Sequence, residues 1–163
     1  MSTSEELIKS FIVDYKIWND TPVELLLDDN MTSFTTYPAK MSQVFTNIIS
    51  NSAVHAFEAN EESNEGKIII SAKVCNDILS INISDNGQGM TDEVKSHIFE
   101  PFYTTKRGKG GTGLGLSIVH NIIKNNLNGE FKVESTLGKG TCFNLELPSL
   151  SNINKSLSHK SAV

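Results

Sequence analysis

Cysteine is scarce. Cys75 and Cys142 stand far apart in a chain of 163 residues and form no C-x-x-C pair, so neither a zinc site nor a disulfide framework is suggested. A reducing, cytoplasmic setting is the expectation. No apolar run approaches the roughly 20 residues of a membrane span. The opening "MSTSEELIKS" lacks the basic and apolar regions of a secretory signal. An excess of positive charge is also absent: net charge is −5 and the pI about 5.3, which gives no general reason to expect nucleic acid. What is present is ordinary. A hydrophobic share of 38% and a charged share of 20% fit one globular domain with a proper core.

Periodicity divides the chain into helices and strands. In "SEELIKSFIVDYKIW", residues Leu7, Ile8, Phe11, Ile12 and Tyr15 recur near helical spacing behind Ser4 as N-cap. "PVELLLDD" and "TSFTTY" read as short strands, and a helix follows from Pro38 to about Phe57. The acidic "EANEESNEGK" is a surface loop. "KIIISAKV" and "ILSINIS" are strands, the second alternating Leu79, Ile81 and Ile83 against Ser80, Asn82 and Ser84. "TDEVKSHIF" is a short capped helix, residues 100–113 form a long loop, and "LGLSIVHNIIKNN" is helical. "GEFKVEST" and "KGTCFNLELP" close the pattern as a hairpin, and the polar tail after Pro148 is expected to be disordered. This mixture predicts an α+β fold, a two-layer sandwich with a mixed, mostly antiparallel sheet packed on three helices. The division is a leading helix over 1–20, one domain over 21–148 and a tail over 149–163.

Three stretches carry chemistry. In "QVFTNIISNSAVHAF", residues Gln43, Asn47, Asn51 and His55 form an i, i+4 stripe beside the apolar arc of Val44, Phe45, Ile48, Ile49, Ala53 and Phe57. Asparagine costs a helix roughly 0.5–0.7 kcal/mol against alanine, so two of them one turn apart invite an explanation. A solvated helix edge is one. An amide oxygen aimed at a hard cation that keeps most of its waters, as Mg²⁺ does, is the other.

In "LSINISDNGQGM", an alternating strand ends on Asp85, and Gly87 and Gly89 let a flat ring approach the backbone without meeting side chains. A carboxylate at a strand end accepts a hydrogen bond from an exocyclic amine such as adenine's. An ordinary Asp-Asn-Gly turn has the same composition. Finally, "YTTKRGKGGTGLGLSIV" places five glycines between 108 and 115, then starts an apolar helix. The strand that a dinucleotide fingerprint needs does not precede it, and Leu114 rather than Lys follows Gly113, so neither familiar phosphate motif is met. Lys106, Arg107 and Lys109 nevertheless bring three cations to a helix start, an arrangement that suits a polyphosphate.

"NIISNSAVHAF", "DNGQGM", "IFEPFYTTK" and "GGTGLGLSIV" together, in order and spacing, resemble the N, G1, F and G2 boxes of the histidine-kinase ATP-binding domain, a family shared with gyrase, MutL and the heat-shock chaperone ATPases. The resemblance runs from about 22 to 148, and its wording is nearest to the nitrogen-regulation type of sensor kinase. It implies Mg·ATP as ligand, with Asn51 on Mg²⁺ and Asn47 on the phosphate side. Asp85 would hold the adenine amine, with Gly87 and Gly89 shaping the base pocket and Thr141 reaching the base through water. Gly111, Thr112, Gly113, Leu114, Gly115 and Leu116 would meet the phosphates, and Lys106 the γ-phosphate from a flexible lid. His55 stands where many such kinases have lysine, which leaves ligand contact and bystander equally open. Asn47, Asn51 and Lys106 are the implied catalytic set.

Position 47 separates subtypes. ATP-hydrolysing relatives and serine kinases of the family carry a glutamate there, whereas Asn47 cannot take a proton, so no general base is evident. A phosphohistidine-forming enzyme needs none. The resemblance also implies an acceptor histidine followed by Glu or Asp and then proline, and His55, His97, His120 and His159 lack that context. The expectation is a monomeric catalytic domain, acting on a phosphoacceptor histidine domain of its parent kinase and indirectly on a response regulator. It would touch neither nucleic acid nor membrane and would not phosphorylate itself. The alternatives are an ATPase or serine kinase of the same family, or a non-catalytic nucleotide-sensing module.

Overall fold

The computed structural model describes residues 22–28, 34–59, 66–106 and 111–150, with the backbone alone for 55–59. The expected helix over 4–18, most of the acidic loop, Arg107, Lys109 and the tail beyond 150 lie outside these residues.

Five strands form one sheet: β1 (Val23–Leu27), β2 (Ile68–Cys75), β3 (Ile78–Asp85), β4 (Glu130–Thr136) and β5 (Gly140–Pro148). The spatial order is β1-β2-β3-β5-β4. β1 runs parallel to β2 and every other pair is antiparallel. The β2–β3 connection is the two-residue turn Asn76-Asp77, both at positive φ (51° and 61°), a geometry that asparagine and aspartate tolerate and that matches strand twist. Alternation then sorts the side chains. Ile68, Ile70, Leu79, Ile81, Ile83, Phe143, Leu145 and Leu147 are buried on one face, while Ser80, Asn82 and Ser84 take the other positions.

Helix α1 (Pro38–Ala59) crosses that apolar face. Met41, Val44, Phe45, Ile48, Ile49 and Ala53 repeat at three- and four-residue intervals and are all buried, so the helix is held by its amphipathic pattern. Helix α2 (Asp92–His97) starts at Thr91, whose Oγ1 accepts from Val94 N at 3.3 Å. It buries no residue and packs beside β4. Helix α3 (Gly115–Asn121) continues into a π-helical turn at Ile122–Asn126, closed by Leu127 N donating to Ile122 O at 2.9 Å. Val119, Ile122, Ile123 and Leu127 complete the core beside α1.

Two local readings change. Residues 34–37 are not a strand. The backbone of Thr35 bonds instead to the segment just past β5, with Thr35 N donating to Ser149 Oγ at 3.4 Å and Leu150 N to Thr35 O at 3.0 Å. Consequently Ser149 is buried and its N–H donates to Asp77 O at 2.8 Å, so residues 149 and 150 are tied to the domain rather than to the tail.

Candidate functional site

The C-terminal end of β3, one edge of α1 and the loop entering α3 meet around a cavity of about 480 Å³, a size that holds a small organic ligand. Asn47, Asn51, Asp85, Gly89, Lys106, Gly111, Thr112, Gly113, Gly115, Leu116 and Thr141 all line it. Tertiary structure thus gathers most of the residues singled out in the sequence.

Asp85 is only 8% exposed, and the backbone N–H of Gly87 donates to its Oδ1 at 2.9 Å. Gly87 is itself buried and does not line the cavity. Its part is to orient the carboxylate, and the wall proper is made by Gly89 with Gln88 and Met90. On α1, the Asn47 amide donates through Nδ2 to Gln43 O at 2.8 Å, which turns its Oδ1 toward the start of α3. A Cβ on Gly115 would stand 3.1 Å from that oxygen. Asn51, half-buried one turn later, lines the same wall. His55 lies on the helix backbone, with its side chain outside the described residues.

Opposite, the loop after α2 contributes Tyr103, Thr104, Thr105 and Lys106. Thr104 Oγ1 accepts from Lys106 N at 3.0 Å, pinning the loop locally. Lys106 Nζ is shielded from solvent. Leu114 does not line the cavity. It is the N-cap of α3 with no side-chain cap, and its carbonyl accepts from Ile118 N and Ser117 Oγ. The first amides of α3 therefore donate to no side chain of the N-cap residue, as at an anion-facing helix start.

The β4–β5 turn closes the Asp85 end of the cavity, an element that local pattern did not reveal as part of the site. Gly138 N donates to Gln88 O at 2.7 Å, Met90 N donates to Ser135 Oγ at 2.9 Å, and Leu137 lines the cavity. Lys95 Nζ ties α2 to the same turn by donating to Ser135 O at 3.1 Å. It also holds the Asp92 carboxyl below its ordinary range through a hydrogen bond and its charge. Next to Thr141 on β5, the Cys142 thiol is pushed up, first by burial and then by the carboxylates of Glu134 and Asp85. No group of three or more His, Cys, Asp or Glu side chains that could hold a metal occurs among the described residues.

Residues 36–151 match the family described as Histidine kinase-, DNA gyrase B-, and HSP90-like ATPase. The chain belongs to that ATPase family. Among its relatives, sporulation kinase E of Bacillus subtilis is 37% identical over 131 residues, covering 80% of this chain and 16% of that protein. Sensor histidine kinase ZraS of Klebsiella oxytoca is 38% identical over 112 residues, covering 68% of this chain and 22% of that protein. The chain thus spans about a fifth of the length of the curated relatives it matches. In structure it is similar to the nucleotide-free catalytic domain of histidine kinase ThkA, with TM-score 0.70 and 26% identity over 91% of this chain and 93% of that one. The mycobacterial sensor histidine kinase MprB shares the fold at TM-score 0.71 and 18% identity, covering 91% and 95% of the two chains. As in those catalytic-domain structures, a mixed sheet is layered with helices. No described helix of this chain is long and apolar enough to cross a membrane.

Proposed function

We propose that this chain is the Mg·ATP-binding catalytic domain of a sensor histidine kinase, and that it donates the γ-phosphoryl group to a histidine on a separate domain. One observation carries the reading: Asp85, the Asn47–Asn51 stripe, residues 104–106 and residues 111–113 converge on a single cavity. Asp85, aligned by Gly87, accepts the adenine amine, and Gly89 lines the same wall, where a Cβ would overlap the carbonyl oxygen of Thr136. Thr141 stands beside Asp85 on the neighbouring strand. Gly111 to Gly113 and the amides opening α3 face the phosphates, with Lys106 as the lid cation. His55 stays a candidate phosphate-side contact.

The donor set fits Mg²⁺, a hard cation that keeps several waters and takes only one or two protein oxygens beside substrate phosphates. Asn51 supplies such an oxygen, and the ion would neutralise phosphate charge during transfer. The chain itself positions ATP and provides no base at position 47. Hydrolysis while ATP waits is thereby kept slow. The partners are the phosphoacceptor domain of the parent kinase and, through it, a response regulator. The domain works as a monomer on the cytoplasmic side, and the "FEPFYTTK" and "GTGLGLSIV" wording supports a parent of the nitrogen-regulation type.

Calorimetric titration of Mg·ATP tests this. The expected isotherm saturates and returns to baseline after each injection, and Asp85→Asn weakens it by about tenfold or more, as for loss of a charged hydrogen bond. Sustained heat would favour an ATPase, and no heat would overturn the nucleotide reading.

A further inference from the structure

Asp85, Thr141 and Ser135 occupy one rung across three strands. Asp85 pairs with Thr141 between β3 and β5, and Ser135 pairs with Thr141 between β4 and β5. Directly opposed residues project to the same face. Asp85 and Thr141 line the cavity, and Ser135 stands behind them, out of it.

The hydroxyl of Ser135 has one proton and two lone pairs, and the surrounding groups fix the use of each. Gly140 O, which can only accept, lies 2.9 Å from Ser135 Oγ and takes its proton. Met90 N, which can only donate, gives its proton to the same oxygen at 2.9 Å. The third neighbour is Thr141 Oγ1, also at 2.9 Å. Because the Ser135 proton is committed, the hydrogen on this last contact comes from Thr141. The Thr141 proton is thereby drawn away from the cavity, and its oxygen lone pairs are what the cavity wall presents. Beside it an ionised Asp85 carboxylate accepts only.

We propose that Ser135 is a positioning residue that fixes the polarity of the Thr141 hydroxyl. The base end of the cavity then offers two neighbouring acceptors, which selects a purine carrying an amine at position 6 over one carrying an oxygen. An amino group satisfies both acceptors, directly or through a water that spends its protons on them. A 6-oxo group would set a third acceptor against them and leave buried polar atoms unpaired. The inference rests on the reading that the base lies at Asp85.

The discriminating measurement is the ratio of dissociation constants for Mg·ITP and Mg·ATP, which differ at position 6 between oxygen and amine and at the adjoining N1 between N–H and bare nitrogen. It is made by calorimetric competition on the full chain and on the Ser135→Ala, Ser135→Thr and Thr141→Val variants. In Ser135→Ala the Thr141 proton is released to meet an oxo group. The ITP/ATP ratio should fall by about fivefold, the worth of one neutral hydrogen bond. Ser135→Thr keeps the hydroxyl and should restore the ratio. In Thr141→Val the ratio should fall as well, and adding Ser135→Ala should change it no further. Equal weakening of both nucleotides by Ser135→Ala would mean that Ser135 only supports the Met90 loop, and would overturn the proposal while leaving the ATP site intact. Should Ser135→Ala fail to fold, an unchanged ratio in Thr141→Val overturns it equally. Absence of any ATP binding by the parent chain would instead remove the nucleotide site, and this inference with it.

Discussion

Phe102 and Gly113 hold each other at the neck of the loop between α2 and α3: the N–H of Phe102 donates to the carbonyl of Gly113 at 2.9 Å. Both sit at positive φ, 65° and 68°. The fit is close, because a Cβ on Gly113 would stand 2.5 Å from the carbonyl carbon of Phe102. Everything from Tyr103 to Thr112 leaves and returns through this contact, and both ends of that stretch line the cavity.

Gly113→Ala should therefore affect binding more than folding. The methyl group cannot enter without separating the two strands of the neck, and alanine at this φ adds about 1–2 kcal/mol of backbone strain. We expect Mg·ATP affinity to fall by about tenfold or more, while urea unfolding reports a loss of about 1–3 kcal/mol. Unaltered affinity would show that the site does not depend on a closed neck.

In the proposed function Asn47 takes the place of the base that an ATP-hydrolysing domain would use. Asn47→Glu places a carboxylate on the same wall, and a positioned general base is worth about 10²–10⁴ in rate. Phosphate release from Mg·ATP should rise by at least about tenfold. An unchanged rate with ATP still bound would show that the amide is not what limits hydrolysis.

Two glycines in one turn separate crowding from backbone strain. Gly138 and Gly140 both have positive φ, 78° and 86°. A Cβ on Gly138 meets nothing within 4 Å, whereas one on Gly140 overlaps the carbonyl oxygen of Asp85. Gly138→Ala should cost about 1 kcal/mol by urea unfolding. Gly140→Ala should cost about 3 kcal/mol or more, and should also displace Asp85. Equal losses would mean that β3 and β5 can part at this end without penalty.

Ser52 carries a hydroxyl in the core, fully buried and without a hydrogen-bond partner among the described residues. An unpaired buried hydroxyl costs about 1–3 kcal/mol, and alanine is also the better helix former. Ser52→Ala is expected to raise unfolding stability by about 1 kcal/mol. A loss in urea unfolding would show that the hydroxyl has a partner in solution.

Local pattern made much of this molecule legible. The alternation of Leu79, Ile81 and Ile83 and the spacing of Val44, Phe45, Ile48 and Ile49 announce which faces are buried, because the strand and helix periods are properties of the backbone itself. Asp85, Asn47, Asn51 and the glycine-rich loop were visible for a related reason: each is an unusual residue choice for its element. What failed to show depended on partners distant in the chain. Residues 34–37 have the composition of a strand, yet the backbone of Thr35 bonds to Ser149 and Leu150 and the carbonyl of Tyr37 accepts from Met41 N. Gly87 reads as a bare wall, yet serves Asp85 through its amide.

Thus the sequence by itself determined the elements, the buried faces and the chemical character of each stretch, since these follow from side-chain type and local periodicity. Tertiary structure alone decided that these stretches share one cavity. It also decided the direction of the Thr141 hydroxyl, because β5 pairs antiparallel with both β3 and β4. Only that pairing brings Asp85, Thr141 and Ser135 into one rung, where each proton has a single place to go.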